Sequence, residues 1–332
     1  MKLNIFSRDA MRPFVDERDG TAKIIHNAKI LATNAVATLR YQDWLDIDNT
    51  VVAVATQRLV GIRDLISRGL VRPLGNIGIT KSMFQRSSDM TAAQITMGIA
   101  VEGERDRVNF DTQDVPVPVV SKDFEYDARE LAASAAHGSG LDTDTVAIAT
   151  RQVAQTSEDM LFSGSAVKVD GTNAVYGYLT HPDRNTVDLS KNWTANDKTG
   201  AEILVDVQAM LAAARADLKF GPFVLYIPGA YETVLDNDYV TGATDRRTIR
   251  ERIMQLNGIS AITVADRMPA NNVVLVSLER ETVDLAMGQD ISAIQYEVQG
   301  GLLSKFKVLA IWAPRIKSDF DGRCGVVHLR AA

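Results

Sequence analysis

The stretch that most constrains the fold runs from Leu141 to Gly164 and reads LDTDTVAIATRQVAQTSEDMLFSG. Asp142 and Asp144 can cap the free N–H groups of a helix start, and glycine suits the left-handed turn that ends many helices. Small or apolar residues recur at steps of three and four, which places them on one face: Val146, Ala149, Thr150, Val153, Ser157, Met160 and Leu161. The pattern predicts one helix about 27 Å long, a candidate spine for a domain. An ordinary amphipathic helix packed on a core is the alternative.

Length and composition indicate a folded protein with two lobes. The chain has 332 residues, of which 46% are hydrophobic and 23% charged, as is usual for globular proteins. Single hydrophobic cores stop growing near about 250 to 300 residues, so a division is expected. The net charge of -6 argues against a strongly electrostatic nucleic-acid binder and leaves a local basic patch open.

Cysteine content and hydropathy indicate the cellular compartment in which the protein is made and kept. The single cysteine, Cys324, excludes an intramolecular disulfide and any multi-cysteine zinc or iron–sulfur site. Residues 1–20 carry charges where a signal peptide needs an apolar run, and no stretch approaches the roughly 20 apolar residues of a membrane span. We therefore expect a protein made and kept in a cytoplasm-like compartment.

The first third of the chain predicts an arm, two helices and a long excursion. Residues 1 to about 22 are charged and irregular and should need a partner surface to be ordered. Apolar residues then return at helical spacing over 22–45 and 49–70. Residues 71–118 mix glycines, polar turns and short alternating strands such as 94–101, and an excursion of this length is uncommon in a compact monomer. We predict a projecting β-hairpin that lies on a neighbouring molecule; a hairpin serving only its own domain is the alternative.

After a loop-rich segment, a second lobe is expected from about residue 199. Helical patterns and short apolar runs only loosely alternate there, which favours an α+β fold. The predicted helices are 202–217, 230–235 and 246–256, and the predicted strands are 223–227, 259–264, 273–277, 282–287, 294–298, 306–316 and 326–329.

No arrangement of residues in the sequence has the signature of a metal or nucleotide site. The histidines lie far apart, without the close spacing of metal ligands: His26, His137, His181 and His328. Residues 75–82, GNIGITKS, depart from a phosphate loop because Lys81 does not adjoin Gly78.

Nucleophilic catalysis is equally unsupported. On a strand, Cys324 and His328 would lie roughly 13 Å apart, too far for a thiolate and its base. Ser163 has no G-x-S-x-G setting. The acidic pair Glu158 and Asp159 is interpreted as part of a solvated face. We expect no enzyme activity, no cofactor and no metal, and Cys324 as a small buried residue.

Four segments in order resemble the tailed-bacteriophage major capsid proteins and the encapsulin shell proteins, which share the Hong Kong 97 fold. The first runs from Val115 to Gly164 and ends in LFSG, and the second is YGYLTH at 176–181. The third is GPFVLYIPGAYETVL at 221–235. The fourth is MGQDISAIQYEVQ, with its matching residues Gly288, Gln289, Asp290, Ile291, Ser292, Ala293 and Tyr296. The resemblance spans roughly residues 115 to 329, about two thirds of the chain.

The resemblance implies an α+β Hong Kong 97-type capsid fold with an N-terminal arm, an extended β-hairpin loop, a peripheral domain with a long spine helix, and an axial domain. The implied division is an arm and helix at 1–45, a helix leading to the extended loop at 46–70, the extended loop at 71–118, the peripheral domain at 119–198 with its spine helix at 142–163, the axial domain at 199–300, and return strands of the peripheral domain at 301–332.

The resemblance also implies residue roles. Intersubunit contacts of the extended loop would be Lys81, Met83, Phe84 and Arg86. The loop around the capsomer pore would be Asp236, Asp238, Tyr239, Thr241, Gly242, Ala243, Thr244 and Asp245. The buried face of the spine helix would include Val146, Val153, Met160 and Leu161. Some family members cross-link a lysine of this loop to an asparagine of a neighbour; we do not expect this of Lys81, because no matching asparagine environment is recognisable.

The implied function is that of a bacteriophage major capsid protein, a structural protein that assembles with itself into pentamers and hexamers of an icosahedral head. The head would enclose double-stranded DNA without sequence-specific contacts, would form in the host bacterial cytoplasm away from membranes, and could bind decoration, portal or scaffolding proteins. An encapsulin nanocompartment with protein cargo is the alternative. The lack of a match to the encapsulin N-terminal helix favours the phage head. A small-molecule enzyme of α+β type is the second alternative.

Overall fold

The structure is a computed structural model and describes residues 41–93, 95, 97–98, 105–127, 129, 143–169, 173–239, 247–298 and 303–331. The predicted arm at 1–22 and most of the helix predicted at 22–45 lie outside the described residues. So does most of the strand predicted at 94–101.

Six helices have both of their ends within the described residues. They are α1 (Tyr41–Arg58), α2 (Gly61–Ser67), α3 (Asp144–Ser163), α4 (Gly200–Ala216), α5 (Gly229–Leu235) and α6 (Ile249–Met254). The two helices predicted at 22–45 and 49–70 are divided differently: α1 runs through residues 46–48, and the break falls at Leu59 and Val60 instead. The helix continues because Ile47 and Val51 are both buried in the core on its inner face.

Thirteen strands complete the described fold. They are β1 (Val71–Pro73), β2 (Lys81–Ser87), β3 (Phe110–Pro116), β4 (Val119–Asp127), β5 (Ser165–Val169), β6 (Asn173–Val175), β7 (Asn185–Leu189), β8 (Phe223–Ile227), β9 (Ile259–Val264), β10 (Asn272–Ser277), β11 (Val283–Val298), β12 (Leu303–Ile316) and β13 (Val326–Ala331). The strands predicted at 282–287 and 294–298 are one continuous strand, β11, with register shifts between Met287 and Ser292. Such bulges bend a long strand without ending it.

One sheet has the order β1-β11-β12-β4. The long strands β11 and β12 pair antiparallel, and β4 continues the sheet antiparallel to β12. Helices α1 and α3 pack against this sheet, and the core between them is apolar. Phe124, Tyr126 and Phe306 form an aromatic cluster there, with ring centroids 5.3 to 5.7 Å apart.

The other large sheet has the order β7-β13-β10-β8-β9. All five side chains of β8 are buried, which explains why its sequence, FVLYI, has no polar alternation. Helix α4 begins at a capping box formed by Thr199 and Glu202, and α6 begins at another formed by Thr248 and Glu251. These local signals give both helices defined starts.

Sheet membership differs from the division implied by the resemblance. β11 falls within 199–300, yet it pairs in the four-stranded sheet. β13 falls within 301–332, yet it lies in the five-stranded sheet between β7 and β10, and β7 itself precedes residue 199. The second lobe, which contains the five-stranded sheet, therefore begins with β7, before residue 199. The chain leaves this lobe at β11 and returns to it at β13, because strand pairing joins segments far apart in sequence.

The end of α3 brings two of the resembling segments into direct contact. The N–H groups of Tyr178 and Leu179 donate to the carbonyl oxygens of Leu161 and Phe162 at 3.0 and 2.8 Å. A Cβ atom at Gly177 would lie 2.5 Å from the Phe162 carbonyl oxygen. The LFSG and YGYLTH segments therefore form one packed unit that requires glycine at the point of closest approach.

Candidate functional site

The excursion predicted at 71–118 contains a two-stranded hairpin. β2 and β3 pair antiparallel, from Lys81 opposite Pro116 to Ser87 opposite Phe110. β3 lies against β5 and β6 of the same chain. The base of the hairpin is therefore fixed on its own chain.

A buried arginine holds the base of the hairpin on the four-stranded sheet. Arg315 of β12 is fully buried, and its Nε donates to Asp284 Oδ1 at 2.6 Å. Its Nη1 donates to Ser82 Oγ at 3.0 Å, and its guanidinium carbon lies 5.8 Å from the centre of the Phe84 ring. The Lys317 ammonium lies 2.7 Å from Asp284 Oδ2. The guanidinium thus has both a carboxylate and β2 as partners, as a buried charge requires.

The residues assigned to intersubunit contacts have different surroundings. Phe84 is partly buried beneath Arg315, and Lys81 Nζ lies 3.7 Å from Asp114 Oδ2 on the opposite strand. The side chain of Met83 is 61% exposed. Of these three residues, Met83 offers most apolar surface to another molecule, and the intersubunit role remains a prediction.

Arg86, the fourth of those residues, pairs within the chain. Its Nε donates to Asp111 Oδ2 at 2.8 Å, and its Nη1 lies 3.8 Å from Asp183 Oδ2. Hydrogen bonding to Gln113 and Arg86 lowers the pKa of Asp111. These pairs hold the two strands of the hairpin together and against the segment that follows β6.

The outer end of the hairpin, from Ser87 to Phe110, carries exposed apolar side chains. Ile95 and Met97 are as exposed as in an isolated extended chain, at 103% and 106%. Met90 and Phe110 are also mostly exposed. Asp89 pairs with Arg323 at 2.7 Å, which directs the start of this segment along the loop before β13. Apolar side chains this exposed are candidates for contact with another molecule.

The tip of the second lobe lies between α5 and α6. Asp236 Oδ1 accepts from Arg250 Nε at 2.9 Å, and the Tyr239 ring lies 5.1 Å from the Arg252 guanidinium carbon. Asp238 forms a backbone bridge with Thr248. Asp236 pairs with Arg250 because α6 places that side chain opposite the end of α5.

The remaining residues assigned to the pore loop lie outside the described residues. They are Thr241, Gly242, Ala243, Thr244 and Asp245. Their role at a symmetry axis therefore remains a prediction.

The inner face of α3 is buried as its spacing predicts. Val146, Val153, Met160 and Leu161 are each less than 5% exposed. The interpretation of Glu158 as solvated was wrong. Its side chain is 2% exposed, because it lies on the buried face of α3 and contacts the start of α2. Burial raises its pKa to about 7.

Glu158 has backbone partners across the core. Its Oε2 accepts from Gly61 N–H at 3.2 Å and its Oε1 from Ile62 N–H at 3.1 Å. Nothing local in the sequence signals this contact, since the two segments are 96 and 97 residues apart. Its neighbour Asp159 is half exposed and pairs with Arg267 at 2.8 Å.

Cys324 and His328 differ in their surroundings. Cys324 is fully buried, and burial raises the pKa of its thiol to about 12, which removes it as a nucleophile. His328 Nε2 pairs with Asn272 Oδ1 at 2.7 Å, and its Nδ1 accepts from Arg184 Nε at 3.3 Å. Burial lowers the pKa of His328 to about 4, so the ring is neutral at pH 7.

The described residues contain no group of three or more His, Cys, Asp or Glu side chains placed to bind a metal ion. A separate question is membrane insertion, and within the described ranges no helix is both long and apolar enough to span a bilayer.

The chain is similar to a shell protein of known name. It is 28% identical over 281 residues to the type 1 encapsulin shell protein EncA of Myxococcus xanthus (strain DK1622). The matched region covers 84% of this chain and 90% of that protein. The similarity therefore extends over nearly the full length of both chains.

Solved structures share the fold at low sequence identity. A virus-like particle from Pyrococcus furiosus superposes with a TM-score of 0.62 and 17% identity, covering 87% of this chain and 98% of that one. The capsid of Myoviridae phage XM1 gives a TM-score of 0.61 at 9% identity, with coverages of 79% and 89%. The fold is therefore the α+β Hong Kong 97-type capsid fold, as the sequence resemblance implied.

A protein-family model covers most of the chain. It matches residues 34–329, which include both large sheets and the hairpin. The description of that family is "Family of unknown function (DUF6260)". The chain belongs to this family, DUF6260.

Proposed function

We propose that this chain is a structural protein that assembles with copies of itself into a closed shell. The observation that carries the proposal is the Hong Kong 97-type fold over most of the chain, together with near full-length similarity to an encapsulin shell protein. Within the described residues, Cys324 is buried and the His328 ring is engaged on both nitrogens, so neither side chain is placed for nucleophilic catalysis.

We propose that the hairpin supplies one of the contacts between copies. Its base is rigid, because Arg315 and Arg86 fix it to its own chain. Its outer part presents Ile95, Met97 and Phe110 to solvent. A rigid base with an exposed apolar end suits a segment that extends across a neighbouring copy, since burial of apolar area drives association.

We further propose that the tip from Asp236 to Asp245 lines the axis of a ring of five or six copies. Its support is the polarity of the segment and the neutralisation of Asp236 by Arg250, since like charges about 4 Å apart repel by roughly 1 kcal/mol even in water. Replacing Gly242 by tryptophan should reduce ring closure while leaving the subunit folded. Assembly at the wild-type yield would count against this placement.

There are two candidates for the contents of the shell. We propose the head of a tailed bacteriophage, which encloses double-stranded DNA; the acidic net charge suits a container that does not grip DNA tightly. Similarity to EncA favours the second candidate, a nanocompartment with protein cargo. In either case this chain would supply the wall of the shell.

Purification of particles from the native source would distinguish the two. A DNA-filled head should show a high ratio of absorbance at 260 to 280 nm and release nuclease-sensitive DNA of defined length after opening. A nanocompartment should instead release one or a few co-purifying proteins at fixed stoichiometry. Sedimentation of the recombinant chain as a monomer or small oligomer under all conditions would contradict both.

A further inference from the structure

Helix α2 is capped by a residue from another part of the chain. Val60, at its N-cap position, makes no side-chain hydrogen bond to the helix start. The buried carboxyl group of Glu158 accepts from the Gly61 and Ile62 N–H groups instead, at 3.2 and 3.1 Å. A Cβ atom at Gly61 would lie 2.6 Å from Leu161 Cδ2, so any larger residue there would force the Leu161 side chain to shift. The start of α2 is therefore held on α3 by one carboxyl group and by close packing.

Helix α2 connects three parts of the fold. Its Asp64 accepts from the Tyr226 hydroxyl of β8 at 2.9 Å, which joins it to the five-stranded sheet. At its other end, the Leu70 carbonyl accepts from the Leu285 N–H at 2.8 Å, and β1 then pairs with β11. The hairpin follows β1 after a short turn. A displacement of α2 from α3 would therefore be transmitted to the segment that enters the hairpin.

The surroundings of Glu158 contain no compensating cation among the charged side chains that the structure describes. Asp64 of α2 acts on it as a like charge, and burial is the larger unfavourable influence on its ionised form. The Tyr226 hydroxyl of β8 is occupied by Asp64. The Tyr178 hydroxyl, from the loop after β6, is fully buried in the same region and has no hydrogen-bond partner within the described chain. Among the described groups, only backbone N–H groups favour the ionised form of Glu158.

We propose that Glu158 is a proton-controlled latch between α3 and α2: the neutral carboxyl holds α2 in place, and ionisation favours an opened form in which the start of α2 leaves α3. The opened form is favoured because water can then solvate the carboxylate and separate it from Asp64. The latch is a property of the subunit, and only its effect on a shell rests on the proposed function. In a shell, opening would loosen the base from which the hairpin reaches its neighbour.

The direction of the pH dependence follows from proton linkage. The pKa of Glu158 is about 7 with α2 in place and near 4.5 when the group is hydrated, so the closed form binds the proton more tightly. The equilibrium constant for opening should therefore rise between pH 4.5 and 7 and level off above pH 7. The total rise should be on the order of a hundredfold.

Hydrogen exchange followed by mass spectrometry tests the latch directly. Protection factors, corrected for intrinsic exchange, would be measured at pH 5 and pH 8 for a peptide spanning α2 in the wild type and in Glu158→Gln. Glutamine keeps one acceptor oxygen but cannot ionise. The wild-type protection should fall on the order of a hundredfold between the two pH values, and the Glu158→Gln protection should change by less than about threefold. Equal behaviour of the two proteins would overturn the proposal.

Two further variants keep the test decisive. Glu281→Gln removes an exposed glutamate and should leave the wild-type pH profile unchanged. Asp64→Asn removes the like charge, so the opening transition should move to lower pH; an unmoved transition would contradict the assigned role of Asp64. All of these measurements can be made on dissociated subunits. A chain that shows the latch but forms no shell would refute the proposed function alone, whereas shells of a chain without the latch would refute this inference alone.

Discussion

Arg315 Nη1 donates a hydrogen bond to Ser82 Oγ at 3.0 Å, which joins two strands whose residues are 233 positions apart in the sequence. The same guanidinium is paired with Asp284 on the adjacent strand of the sheet. One buried side chain on β12 therefore connects this strand to both β11 and the hairpin. The direction in which the hairpin leaves the body depends on this arrangement.

Replacing Arg315 by methionine should destabilise the subunit by about 3 kcal/mol, because Asp284 loses a buried partner while keeping Lys317. Urea denaturation of the dissociated subunit would measure this. Protection of the β2 amides should decrease as well. Arg330→Met is the matched control, since Arg330 forms a more exposed pair with Asp188 and its loss should cost less than about 1 kcal/mol. Equal costs for the two variants would contradict the role of Arg315.

Replacing Gly177 by alanine should destabilise the junction between α3 and the YGYLTH segment. The new Cβ would lie 2.5 Å from the Phe162 carbonyl oxygen, and backbone atoms cannot yield as a flexible side chain would. We expect a loss of about 2 kcal/mol or more in the free energy of unfolding. Gly78→Ala is the control, because its Cβ would make only an ordinary contact with Asn76 at 3.5 Å. A thermal melt that places both variants at the wild-type midpoint would disprove the tight junction.

His328 should make the subunit sensitive to acid. Its pKa is about 4 in the folded protein and near 6.5 in the unfolded chain, so the unfolded chain binds more protons between these values. Stability from this residue is therefore present above pH 6.5 and is lost as the pH falls toward 4. In His328→Gln the urea midpoint should decline less over this interval than in the wild type. A parallel decline of both proteins would exclude His328 as the cause.

The exposed end of the hairpin should be required for assembly and not for folding. Replacing Ile95 and Met97 together by aspartate places charge where we propose apolar contact with a neighbouring copy. Particle yield should fall at least tenfold, while the unfolding midpoint of the dissociated subunit should change little, since both side chains are fully exposed. Ala92→Asp, at another exposed site of the same segment, is a charge control. Wild-type particle yield from the double variant would refute this contact.

The sequence predicted the elements whose signals are local. The spacing from Val146 to Leu161 predicts α3 and its buried face, and the apolar run at 223–227 coincides with β8. Fold class followed from the resemblance of short segments. The pairing of distant segments could not be read in this way: the exchange of β11 and β13 between sheets depends on contacts that no local pattern records.

The partners of the buried charges were also beyond local reasoning. Glu158 and Asp159 are adjacent acidic residues on one helix, yet one is capped by backbone N–H groups from α2 and the other faces Arg267 at the surface. Helical spacing did contain a signal, since Glu158 lies between Ser157 and Met160 on the predicted inner face. The partners of Arg315 had a weaker signal, an Arg and an Asp in otherwise apolar strands.

The most direct test of the account is negative-stain electron microscopy of the purified recombinant chain at near-neutral pH. We expect uniform, closed, hollow particles with the facets and ring-shaped units of an icosahedral shell, at megadalton mass by light scattering of the same sample. Fields of small isolated molecules, at the mass of a monomer or a small oligomer across protein concentrations and salt conditions, would contradict a shell-forming protein.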